Sequence, residues 1–151
     1  MAAERQWFAL RVRPRCEFVV AESLRQKGCE EFLPLHRQRR RWSDRVKVIE
    51  APLFPGYVFA RFDVLRRLPI VTTPGVLLVV STGSVPRALD DGEIEALKIL
   101  VASKLTIEPW PYLSVGHRVR IIRGPLNGAE GIITAVEGQK RLVVSISLLQ
   151  R

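Results

Sequence analysis

Residues 7–13 alternate, with Phe8, Leu10 and Val12 on one face and Trp7, Ala9, Arg11 and Arg13 on the other. This period of two predicts a half-buried first strand, and Pro14 ends it. Cys16, Val19, Val20, Ser23, Leu24 and Lys27 then recur at helical spacing, with Gly28 placed for a left-handed cap, so a helix is predicted over roughly Cys16 to Lys27. Glu31 to Trp42 and Val46 to Glu50 read as extended arms joined at Ser43-Asp44, a hairpin. Pro52 to Gly56 reads as an irregular turn leading into Tyr57-Val58-Phe59-Ala60-Arg61-Phe62, a run of high β propensity expected at the centre of a sheet. After a proline-interrupted stretch, the apolar run Val76 to Val80 predicts a fully buried strand that completes the sheet. Asp90 followed by Glu93 has the spacing of a capping box, ahead of Ile94, Leu97, Leu100 and Val101 on one helical face.

Glu108-Pro109-Trp110-Pro111-Tyr112 contains two prolines, which remove backbone donors and fix φ. It reads as a stiff connector. Beyond it, short apolar strands are predicted at Arg118 to Ile122, Gly131 to Val136 and Leu142 to Leu148, punctuated by Gly124-Pro125, Asn127-Gly128 and Gly138. The expected fold class is therefore α+β. An antiparallel sheet with flanking helices spans 1–107; a linker spans 108–112; a small β-barrel spans 113–151. Its Gly, Val and Ile content and poor helical periodicity argue against a helical form of the last segment.

Charge changes the picture from fold to partner. The chain carries 24 Lys plus Arg against 15 Asp plus Glu, a formal charge of +9 over 151 residues. The excess falls near the two ends. It is densest at Arg37, Arg39, Arg40, Arg41, Arg45 and Lys47 around Trp42, and weaker at Arg11, Arg13 and Arg15 and at Arg118, Arg120, Arg123, Lys140 and Arg141. Same-sign clusters rich in arginine suit bidentate contact with phosphate, which makes nucleic acid the leading partner class. A solvated hairpin face kept for solubility accounts for the same run equally well.

Other chemistry is sparse. The N-terminal apolar stretch is too short for a signal peptide, and the Leu68 to Val80 region is too interrupted to span a membrane. A cytoplasmic protein with no membrane partner is expected. Cys16 and Cys29 are expected as free thiols, and His36 and His117 lack the neighbours of a zinc site. Neither a phosphate loop nor a His-Glu-x-x-His or nucleophile motif is found, so no cofactor, metal or catalytic residue is expected and the protein reads as a non-enzyme.

The order and spacing of several segments resemble the NusG-type transcription elongation and antitermination factors, an N-terminal NusG domain joined to a C-terminal KOW domain, which implies an α/β sandwich over 1–107 and an SH3-like β-barrel over 113–151. The segments are Trp7-Phe8-Ala9-Leu10, Pro14 and Glu17, Phe32-Leu33-Pro34, Pro52-Leu53-Phe54-Pro55-Gly56-Tyr57-Val58-Phe59 and Pro74-Gly75-Val76. The helix start from Asp90 to Leu97, then Val115-Gly116 through Gly124-Pro125-Leu126-Asn127-Gly128 and Gly131, complete the match. The Pro109-Trp110-Pro111-Tyr112 connector and the Leu148-Leu149-Gln150-Arg151 ending resemble the specialised UpxY-like paralogues. The resemblance implies a regulator that suppresses pausing or termination by docking on the clamp helices of the RNA polymerase largest subunit. It implies docking through Trp7 and the turn Phe54, Pro55, Gly56 and Tyr57; from composition alone those aromatics read as well as core.

It also places the Arg37 to Lys47 hairpin near non-template or upstream DNA, with Trp42 available for stacking. The gate-loop contact of some members needs a His-Thr-Thr motif, which Val71-Thr72-Thr73 only superficially matches, and that contact is not assigned. The KOW domain is implied to recruit a small-subunit ribosomal protein or Rho through Leu148 and Leu149, positions that read equally as barrel core. Family KOW domains continue with a further strand after the position of Arg151, so the expectation is a shortened chain or a barrel without its last strand. An alternative function is a ribosome-associated KOW protein acting on rRNA.

Overall fold

A computed structural model of the chain describes residues 5–42, 45–103, 117–120, 130–136 and 139–143, with side chains described for 5–38 and 45–103. The chain forms two compact units, Met1–Leu33 with Phe54–Asp91, and Pro34–Leu53 with Gly92–Arg151.

The first unit is a mixed α/β body around a four-stranded antiparallel sheet in the order β2-β5-β1-β6. Its strands are β1 (Gln6–Val12), β2 (Glu30–Phe32), β5 (Tyr57–Phe62) and β6 (Val76–Val79). As the alternation predicts, Phe8, Leu10 and Val12 share a core with Val58, Ala60 and Phe62 of β5. Helix α1 (Glu17–Gln26) adds Val20, Ala21 and Leu24 to that core, one turn apart on its apolar face. It ends at Gly28, whose φ of 77° is the left-handed cap expected there. Phe8 and Phe62 sit 4.9 Å apart between ring centroids and close the apolar layer at the far end of the ladder. On the opposite face Trp7, Ala9 and Phe59 are buried as well.

The proline-interrupted stretch folds into a 3-10 turn at Val64–Arg66, where Asp63 accepts from the Leu65 N–H, and a single turn of helix, α2 (Leu68–Val71). Pro69 stands where a helix start tolerates a missing donor. The Lys27 ammonium donates to the Pro69 carbonyl and to Thr73 Oγ1, both at 2.8 Å, and ties the end of α1 to α2. A small ribbon, β7 (Ser81–Thr82) with β8 (Val85–Pro86), follows β6.

In the second unit, β3 (Leu35–Trp42) and β4 (Arg45–Pro52) pair from Leu35↔Pro52 to Trp42↔Arg45 as the expected hairpin. Helix α3 (Asp91–Ala102) starts directly after Asp90 and buries Ile94, Ala96 and Leu97. β9 (His117–Arg120), β10 (Glu130–Val136) and β11 (Gln139–Val143) form a three-stranded antiparallel sheet with β10 central.

The structure corrects the sequence reading at three places. Glu31 to Trp42 is not one arm: β2 ends at Phe32 and joins the four-stranded sheet, whereas β3 starts at Leu35 and belongs to the hairpin. Pro34 lies between them, buried and without a donor; its carbonyl accepts from the Leu53 N–H at 2.9 Å. β6 is an edge strand and not a fully buried one, with Leu77 51% and Leu78 48% exposed. Its register against β1 shifts between Leu78, opposite Arg11, and Val76, opposite Val12, leaving Leu77 as the extra residue of a bulge. β11 begins at Gln139 and not at Leu142, because pairing with β10 runs down to Val136↔Gln139 through polar positions that an apolar run cannot signal. Predicted features at 43–44, 104–116, 121–129, 137–138 and 144–151, including the connector, the Gly138 turn and barrel closure, lie outside the described residues.

Candidate functional site

The turn from Phe54 to Tyr57 is held from three sides. The Gly56 carbonyl accepts from the Val12 N–H at 2.8 Å, which fastens the turn to the end of β1. Within the turn, the Tyr57 N–H donates to the Phe54 carbonyl at 3.1 Å. The Gly56 N–H donates to Glu17 Oε2 at 3.5 Å, a long bond to a carboxylate in the first turn of α1 that is itself only 6% exposed. Gly56 has φ 87°, the left-handed region where a side chain is strained. A Cβ there would find room, its nearest neighbour being the Val12 carbonyl at 4.0 Å, so the backbone angle and not space is what asks for glycine.

The aromatic residues of the expected docking site divide in two. Phe54 is 6% exposed and packs edge-to-face on Phe59 with centroids 5.6 Å apart, and Phe32 lies 6.3 Å from Phe59. Trp7 is 3% exposed, and its carbonyl accepts from the Leu89 N–H at 2.7 Å. Pro55 is exposed, and Gly56 and Tyr57 are partly so. The side chains that can meet another molecule here are Pro55 and Tyr57. Tyr57 has company the sequence reading did not assign to this site. Arg11 Nη1 donates to Tyr57 Oη at 3.1 Å, and its Cζ lies 5.7 Å from the ring centroid, within cation–π range. The signal was present, since Arg11 falls on the Trp7 face of β1, but only the β1–β5 register sets it opposite Tyr57.

The basic hairpin belongs to the other unit. Its register sets Arg37 opposite Glu50, Arg39 opposite Val48, Arg40 opposite Lys47, Arg41 opposite Val46 and Trp42 opposite Arg45. Alternation places Arg37, Arg39 and Arg41 at one set of positions, with Arg40 and Trp42 at the other, so cationic positions occur on both faces of the ribbon. Arg37, Arg45 and Lys47 are exposed, as are Val46 and Val48. Only the backbone is described from Arg39 to Trp42, and Leu148 and Leu149 lie outside the described residues.

The Thr72 hydroxyl donates to the Leu68 carbonyl at 2.7 Å and the Thr73 hydroxyl to the Pro69 carbonyl at 3.0 Å, so both serve the end of α2. Cys16 and Cys29 are free thiols. Burial, opposed by Arg5 and by a hydrogen bond with the Arg61 backbone and reinforced by Glu30 and Glu31, pushes the Cys29 thiol up from its ordinary pKa. Among the described residues there is no group of three or more His, Cys, Asp or Glu that could hold a metal, and no helix long and apolar enough to cross a membrane.

An antiparallel α/β body with a fixed aromatic turn at its central strands defines the class of protein. Residues 5–98 match the family model described as "NusG: Transcription termination factor nusG", and the chain belongs to the NusG family. It is similar to the transcription termination/antitermination protein NusG of Lactococcus lactis, 28% identical over 162 residues covering 96% of this chain and 85% of that one. The protein of the same name from Rickettsia bellii is 28% identical over 109 residues, 70% of this chain and 56% of the relative. A solved structure titled "Domain interaction in Thermotoga maritima NusG" superposes with a TM-score of 0.53 at 23% identity, covering 95% of this chain and 88% of that one, and supports the fold.

Proposed function

We propose that the protein is a transcription termination/antitermination factor that binds RNA polymerase through the Phe54–Tyr57 turn and acts without catalysis. The family match over residues 5–98 carries the reading, because that span contains β1, α1 and the whole turn. The turn has the physical properties of an anchor: an aromatic at a conformation fixed by glycine and three hydrogen bonds loses little freedom on binding. The polymerase element is the pair of clamp helices of the largest subunit. Pro55 and Tyr57 make the contact, Phe54 anchors the turn on Phe59, and Trp7 fixes the strand beside them.

The Arg37–Lys47 hairpin contacts the phosphates of non-template or upstream DNA near the transcription bubble. The segment after the 108–112 connector is a KOW domain that recruits a ribosomal protein or Rho through Leu148 and Leu149. The affinity to UpxY-like paralogues rests on the sequence of that connector and of the last four residues.

A single-round transcription assay with the cognate polymerase tests the reading. The wild-type chain is expected to change pausing or terminator read-through, and Tyr57→Ala to lose the effect at unchanged thermal stability. Phe54→Ala is a poor probe, since removing a buried phenylalanine costs about 3–5 kcal/mol of stability. A wild-type chain that neither binds the polymerase nor alters transcription would sink the proposal in favour of rRNA binding.

A further inference from the structure

Strands β5, β1 and β6 lie side by side, and one row across them reads Tyr57, Arg11, Leu78. Opposed residues of an antiparallel ladder share a face, so these three side chains stand together. The next row on the same face, Phe59 opposite Ala9, is buried, and the exposed surface therefore begins at Arg11. The bulge on β6 supplies Leu77 next to Leu78, and both are about half exposed. The guanidinium of Arg11 donates to the Tyr57 hydroxyl and lies over its ring, and among the described residues its other donors have no hydrogen-bond acceptor. Arg13 and Arg15 follow on the exposed connection to α1. Among the described residues no carboxylate forms an ion pair with Arg11, Arg13 or Arg15.

We propose that Arg11 is the specificity-determining residue of the docking surface, selecting a partner helix that carries a carboxylate flanked by apolar side chains. The proposal rests on the polymerase-docking reading given above and adds the chemistry the partner must present. The carboxylate meets the Arg11 fork, already oriented on Tyr57, so little side-chain freedom is lost on binding. The apolar neighbours cover Tyr57 on one side and Leu77 with Leu78 on the other. Two half-exposed leucines beside the cation favour a protein over a nucleic acid, whose backbone offers phosphates and no aliphatic surface. Arg13 and Arg15 extend the same potential and attract an acidic helix from a distance.

The test measures binding of the full chain to cognate core RNA polymerase at two salt concentrations. Arg11→Glu is expected to weaken binding about tenfold or more, because it sets like charges against each other. Arg11→Lys keeps the charge without the planar fork and is expected to fall in between. Arg66→Glu, on the exposed 3-10 turn, makes the same change in net charge and is expected to bind as wild type. Thermal unfolding of each variant separates misfolding from lost contact. Changing acidic residues of the polymerase docking element to lysine one at a time is expected to yield one that restores Arg11→Glu. If Arg11→Glu binds like wild type while the wild type docks, the inference falls and the docking reading stands. If Arg11→Glu loses DNA retention and not polymerase binding, the row belongs to nucleic acid and the inference is overturned. If the wild type does not bind polymerase at all, both fall.

Discussion

Gly75 precedes the edge strand that carries Leu77 and Leu78, and replacing it by alanine perturbs the fold in two separable ways. Its φ is 95°, a conformation that an L side chain adopts at a cost of about 1–2 kcal/mol. A Cβ built there would also lie 2.8 Å from Val20 Cγ2 and 3.4 Å from Cys16 Cβ. Val20 is fully buried under the sheet and cannot turn away, so the overlap must be absorbed by backbone movement, at about 1–3 kcal/mol for an overpacked core. Gly75→Ala is therefore expected to destabilise the chain by about 2–5 kcal/mol, a large share of the ~5–15 kcal/mol that holds a typical domain. The Gly75 carbonyl accepts from the Arg13 N–H at 2.9 Å, so the displaced backbone also pulls on the end of β1 beside Arg11.

Gly28→Ala isolates the first contribution. Its φ is 77° and nothing lies within 4 Å of the added carbon, so it should cost only the backbone term, about 1–2 kcal/mol. Urea denaturation of both single variants, and of Gly75→Ala in a Val20→Ala background, completes the comparison. With the Val20 methyls gone, the alanine at 75 should cost at least about 0.5 kcal/mol less than in the wild type. Equal costs for Gly75→Ala and Gly28→Ala, or a Gly75→Ala cost that persists undiminished without the Val20 methyls, would refute the steric argument.

Glu17→Ala removes the acceptor of the Gly56 N–H and a first-turn carboxylate, and is expected to cost about 1–2 kcal/mol in thermal or urea unfolding, with Glu17→Gln recovering most of it; a loss below about 0.5 kcal/mol would show that the turn does not depend on this bond. Because burial raises the Cys29 pKa, folding favours its neutral thiol: this contribution is whole below the unfolded thiol's pKa and is lost as pH rises through the folded one. Stability should thus fall in the alkaline range above about pH 8.5, and Cys29→Ala should remove that part of the fall; identical alkaline profiles count against it. If the hairpin tracks a single strand, Arg37→Gln/Arg45→Gln/Lys47→Gln should lower the slope of log affinity against log salt by about 2, and an unchanged slope would remove these residues from the interface.

Much of the first unit was legible because one of its faces is apolar at every second position. β1 and β5 show their alternation, α1 shows its glycine cap and the Val20 and Leu24 part of its stripe, although Val19 is 62% exposed and Ala21 is buried in its place, and the central place of β5 follows from its composition. β6 was misread because continuous apolar runs are ambiguous: a bulge lets an edge strand expose two successive leucines, and no periodicity reports that. The break at Leu33-Pro34 was hidden because residues on both sides are extended, and only pairing shows that they serve different sheets. The turn was legible as a motif, but the division between the buried Phe54 and the partly exposed Tyr57 was not, since it depends on Phe59 beneath the turn. Arg11 was visible as a charge and not as a neighbour of Tyr57, which lies 46 residues away in the chain.

The strand order has a consequence for the time at which this surface comes into being. Trp7 pairs with Arg61 and Leu10 with both Val58 and Val79, so β1 finds its neighbours among residues made much later. The hairpin of β3 and β4, by contrast, pairs residues as close as Trp42 and Arg45. Local pairings close early and distant ones must wait. During synthesis at the ribosome the basic ribbon can therefore close before the central sheet, while β1 leaves the exit tunnel without a partner. The row of Tyr57, Arg11 and Leu78 does not exist until the chain has been made and released through Val79.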